Sequence, residues 1–101
     1  MTDLERRAIE EAKHAIGIGQ HGRNRPYKRH GRLFYRPWRN RFCTAVDDPV
    51  WVYLKKLGYA EHGEVRTIYK PDATSTIFYL TRNGLDWLGE QIGVIIHDES
   101  D

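Results

Sequence analysis

The sequence predicts a single small α+β domain, with three or four helices and a two- or three-stranded antiparallel sheet. Apolar residues recur at helical spacing in segments opened by capping residues, and the first two segments close on Gly17 and Gly58. Two β-rich runs flank a proline turn in the second half. A chain of 101 residues with 40% apolar content has material for one core, enough to bury roughly two thirds of its unfolded surface.

From Asp3 to Ile16 the residues Leu4, Ala8, Ala12, Ala15 and Ile16 fall three and four apart. They line one stripe of a helix capped by Thr2 or Asp3. Residues 17–31 hold four glycines, one proline and little apolar material, so the segment reads as a loop. Arg32 to Phe42 is ambiguous, because Phe34, Trp38 and Phe42 share a face in either structure. Pro37 suits a first helical turn, which favours a strand at Leu33 to Tyr35 running into a short helix from Pro37 to Cys43. A hairpin turning at Arg36 to Asn40 is the alternative.

Thr44, or Asp47 with Asp48, opens the next helix, Asp48 to Leu57. Pro49 stands at its first position, Val50, Trp51, Leu54 and Leu57 form its buried stripe, and Lys55 and Lys56 lie near its C-terminal dipole. Glu64 to Leu80 forms two strands about the turn Lys70-Pro71-Asp72-Ala73. Thr81 caps a last helix, Arg82 to Gln91, whose Leu85, Leu88 and Ile92 face inward with Trp87 alongside. Val94 to Ile96 adds a short extended piece before an acidic tail, 97–101.

The residues Leu54-Lys55-Lys56-Leu57-Gly58-Tyr59-Ala60, then Tyr79-Leu80-Thr81-Arg82-Asn83-Gly84-Leu85-Asp86-Trp87-Leu88, resemble the winged helix-turn-helix superfamily over about half the chain. The whole sequence is also similar to short phage and prophage proteins. The resemblance implies an order of helix, strand, two helices and a two-stranded wing, with residues 33–43 completing it. It further implies DNA contacts from the exposed positions of Asp48 to Lys56 and from the wing tip near Lys70. Asp47 and Asp48 depart from that docking mode, since two carboxylates would face phosphates.

Charge distribution supplies the strongest functional pointer. Residues 13–46 hold nine Lys or Arg, three His and no acid, leaving seven basic and fourteen acidic residues elsewhere. The expected function is therefore a non-enzymatic module binding DNA or RNA through the phosphate backbone. Arg23, Arg25, Lys28, Arg29, Arg32, Arg36, Arg39 and Arg41 are the candidate contacts. Tyr27, Phe34, Tyr35 and Trp38 lie among them and are able to stack on unpaired bases, although Phe34, Trp38 and Phe42 are more simply read as core. The alternative function is a protein-interaction adaptor whose basic arm docks an acidic partner.

No catalytic or metal site is indicated. Five His and the single Cys43 lack the paired spacing of zinc ligands, and Asp47 with Asp48 reads as a helix cap. Gly17-Ile18-Gly19-Gln20-His21-Gly22 has dinucleotide-type glycine spacing but follows a helix rather than a strand, so no cofactor is expected. One cysteine excludes an intrachain disulfide and suits a cytoplasmic setting. The apolar runs are too short to span a bilayer.

Overall fold

The computed structural model describes residues 1–19, 25–67 and 74–97. In chain order the elements are α1 (Asp3–Ala15), β1 (Tyr27–Arg29), β2 (Arg32–Tyr35), β3 (Phe42–Ala45), α2 (Pro49–Lys56), β4 (Ala60–His62), β5 (Arg66–Thr67), β6 (Thr74–Leu80), α3 (Arg82–Ile92) and β7 (Ile95–Ile96). This is a small α+β arrangement whose described part has three helices. An antiparallel sheet runs β3-β6-β4, with β5 also pairing β6. A second sheet, β1-β2-β7, joins β1 to β2 antiparallel and β2 to β7 parallel.

The core forms where the three helical stripes meet the inner face of β6. Ala8, Ala12, Ala15 and Ile16 of the α1 stripe are fully buried with Val50, Trp51 and Leu54 of α2, Phe78 of β6 and Leu88 of α3. Small side chains on α1 let α2, α3 and β6 approach it closely, and alternation along β6 sends Thr76, Phe78 and Leu80 inward. Caps end the helices as their residue types require. Thr2 accepts from the Glu5 N–H, Asp48 from Val50 and Trp51, and Thr81 from Gly84, while Gly93 closes α3 at φ 72°. Two glycines permit close packing of α3, because a Cβ on Gly84 would strike the Tyr59 carbonyl and one on Gly89 the Val94 carbonyl.

Two expectations for the first half are corrected. The segment 17–31 is not all loop, since Tyr27–Arg29 pairs with Arg32–Tyr35 across a two-residue turn. His30 and Gly31 both have positive φ, 53° and 77°, as the mirror-image hairpin turns require. Pro37 to Cys43 contains no helix, and the alternative hairpin is also absent, because β2 and β3 lie in different sheets. The helix is displaced by side-chain work at the C-terminal end of α1. Tyr35 Oη donates to the Ile16 carbonyl at 3.0 Å, Trp38 Nε1 to Gly17 at 3.4 Å and Arg39 to His14 at 2.7 Å. The Arg41 N–H adds a bond to Ala15 at 3.1 Å. The carbonyls left open where a helix ends thus find donors, one of them a cation favoured by the dipole.

Asn40 completes the segment by acting as a strand residue. Its amide donates to the Leu80 carbonyl and accepts from the Leu80 N–H, both at 2.8 Å. A side chain thereby makes the pair of bonds that a backbone neighbour would make to the end of β6. The proline turn predicted at Lys70 to Ala73 lies outside the described residues, although the β5–β6 pairing that flanks it is present. Among the described residues no helix is long and apolar enough to cross a membrane.

Candidate nucleic-acid interface

The fold divides the candidate cations into two groups. Arg25, Lys28, Arg29 and Arg32 belong to the β1–β2 hairpin or its entry, and all four side chains are exposed. Arg29 and Arg32 are direct cross-strand partners beside the turn. Arg36, Arg39 and Arg41 lie instead on the connection from β2 to β3. Arg23 lies outside the described residues.

Electrostatics separates the groups further. The ion pairs Arg6–Asp3, Arg7–Glu11, Lys13–Glu10 and Arg82–Asp86 all lie within α1 or α3. Among the described residues, no carboxylate reaches ion-pairing distance of Arg25, Lys28, Arg29 or Arg32. Arg39 is committed locally, with its guanidinium on the His14 carbonyl and 4.7 Å from the centre of the Trp38 ring. Arg41 lines a concavity with His14, Arg39, Phe42, Cys43 and Ile77.

The aromatic residues also sort differently from a simple core. Phe42 packs on the core, its ring 5.1 Å from Trp51. Trp38 is half exposed, at 50%, because its indole closes over Gly17 rather than entering the interior. Phe34 is half-buried and packs against both Tyr27 and His97, with ring centres at 5.9 and 5.7 Å and planes tilted by 21° and 14°. These are offset stacks, and Tyr27 Oη lies 3.4 Å from His97 Nε2. Tyr35 turns to the opposite face and is buried, where loss of water pushes its phenol upward.

His97 was invisible as a site residue in the chain order, where it belongs to the acidic tail. Only the parallel pairing of β7 with β2 brings it to Phe34. The hairpin itself left a trace: a His-Gly pair set between Tyr27-Lys28-Arg29 and Leu33-Phe34-Tyr35 is a two-residue turn with His in place of the commoner Asn or Asp.

The helix before the β4–β6 strands presents a different surface. Asp48 is spent on the N-terminus of α2 and on a 2.8 Å bond from Thr44 Oγ1. Near it, burial first and the Asp48 charge second raise the Glu11 carboxyl above its ordinary value, while Arg7 eases it back. The carboxylates Glu11 and Asp48 therefore mark the α1–α2 junction as unfavourable for phosphate. Among the described residues no three His, Cys, Asp or Glu gather as a metal site. No protein-family model, curated protein or solved structure matches the chain.

Proposed function

We propose that this chain is a non-enzymatic nucleic-acid-binding module of phage or prophage type, working in the cytoplasm, that grips the phosphate backbone with little sequence preference. The β1–β2 hairpin makes the principal contacts, through Arg25, Lys28, Arg29 and Arg32, with Arg23, Arg36, Arg39 and Arg41 as further cations. The observation that carries this reading is the Arg29–Arg32 pair. Like charges placed directly opposite each other on neighbouring strands repel, and among the described residues no acid neutralises them. A phosphate bound beside the turn relieves that repulsion.

The order α2, β4 to β6, α3 supports a winged-helix-like reading of the second half, although residues 33–43 supply no helix to complete it, and the docking differs from that of the superfamily. Asp47 and Asp48 guard the end of α2 that would approach the bases, so the hairpin takes over the contact. The test is fluorescence anisotropy of the full chain on duplex DNA across a salt series. Four neutralised phosphates give a log–log slope of about −3.6. Replacing Arg25, Lys28 and Arg29 together by Ala flattens it to roughly −1; an unchanged slope refutes the assignment.

A second reading, a protein-interaction adaptor, draws support from the outer face of β6, where Ile77 and Tyr79 are 50% and 42% exposed. It predicts specific capture of a protein partner by a chain that retains neither DNA nor RNA at low salt.

A further inference from the structure

Resting on the phosphate-binding reading, we propose that the exposed face of the β1-β2-β7 sheet is a site for single-stranded nucleic acid, where an unpaired base stacks on Tyr27 and the adjoining phosphates lie on Arg29 and Arg32.

Strand geometry assembles this face. Alternate residues project to the same side, and the registers Tyr27 with Phe34, Arg29 with Arg32, and Phe34 with Ile95 place Tyr27, Arg29, Arg32, Phe34 and Ile95 together. The other side carries Tyr35 and Ile96 into the core. What remains outside is a cluster of near-parallel rings beside a pair of guanidiniums.

Tyr27 is the open member of this cluster. Phe34 packs against both Tyr27 and His97, β1 is the edge strand, and Tyr27 keeps 43% of its surface exposed. Its phenol lies 3.4 Å from His97 Nε2, so the rings already pack together before any ligand arrives. A preset aromatic surface accepts any base through its π face, whereas a duplex keeps its bases stacked on one another and offers such a ring only its backbone.

Charge selects the occupant. Arg29 and Arg32 share the face with the rings, Lys28 projects to the other side of the strand, and no carboxylate among the described residues pairs with Arg25, Lys28, Arg29 or Arg32. An apolar protein partner would have to bury these cations uncompensated. Phosphates spaced along a flexible single strand meet them while a base reaches Tyr27.

The test compares three fluorescent probes with the full chain at fixed salt: oligothymidylate of 12 nucleotides, an abasic 12-mer with the same phosphates, and a 12-base-pair duplex. The expected result is binding of oligothymidylate about tenfold tighter than the abasic strand, the size of effect one stacked base supplies. Tyr27→Leu, which keeps an apolar neighbour for Phe34, removes that advantage and leaves duplex affinity unchanged. Tyr27→Trp retains it. Oligouridylate run alongside separates RNA from DNA as the preferred strand.

Equal affinity for the abasic strand and oligothymidylate, or an unaffected Tyr27→Leu variant, overturns the stacking site while the phosphate grip stands. Failure to bind all probes at low salt overturns both. Unchanged thermal melting of Tyr27→Leu establishes that its loss is not unfolding.

Discussion

Removing the Asn40 side chain should destabilise the fold out of proportion to its size. Asn40→Ala deletes two hydrogen bonds of 2.8 Å and leaves both polar groups of Leu80, at the end of β6, without a partner. Each orphaned group costs about 1–3 kcal/mol when buried, and the site is only part-buried, so the lower half of that range applies to each. The expected loss is about 2–4 kcal/mol, or a fall in Tm of roughly 10–25 °C for a domain of this size. Asn40→Asp sharpens the test. An ionised carboxylate still accepts from the Leu80 N–H but faces its carbonyl with a second acceptor, whereas the protonated acid supplies a donor and restores both bonds. The folded state therefore raises the carboxyl's pKa, and stability gained below the unfolded value of about 3.9 is lost as pH rises through the folded one. Urea midpoints of wild type, Asn40→Ala and Asn40→Asp at pH 3.5 and 7 measure this. A loss under about 0.5 kcal/mol for Asn40→Ala, or an Asp variant that gains nothing over Ala on acidification, refutes the strand-mimic account.

Gly84→Ala ordinarily favours a helix by about 1 kcal/mol, yet here the new Cβ meets the Tyr59 carbonyl oxygen that also accepts the Thr81 N–H. Thermal melts should show a net loss of about 1–3 kcal/mol, while Asn83→Ala, at an exposed neighbour, changes little. At Glu11 the sign runs with pH: burial and then Asp48 raise the folded carboxyl above its ordinary value, so its contribution is greatest below the unfolded value and is lost as pH rises through the folded one. Glu11→Gln should gain on wild type between pH 4 and 7 in urea midpoints, and a constant or shrinking difference would contradict the cause assigned.

Legibility of the fold followed the range of the forces involved. The helices α1, α2 and α3 were readable within a residue or two at each end, because their caps and stripes are local: Thr2, Asp48 and Thr81 accept from N–H groups two or three residues on. The segment 37–43 was misread because Pro37 and the aromatic spacing describe only local preference. Its side chains are spent on partners far away in sequence, Arg39 on His14 and Asn40 on Leu80. The β1 strand was missed because Gly and charge in residues 17–31 outweighed a three-residue run.

For the site, the chain alone determined that the positive charge is concentrated between residues 13 and 46 without any acid, since composition does not depend on folding. It also set a strong expectation for each helix, whose stripe and caps lie within one short segment. Tertiary structure decided which cations share a surface and which rings gather beside them. Arg29 meets Arg32 through a turn at positive φ, and His97 reaches Phe34 only because β7 pairs parallel to β2, some sixty residues away. Pairings over that distance depend on how the whole core closes, which no short run of residues encodes.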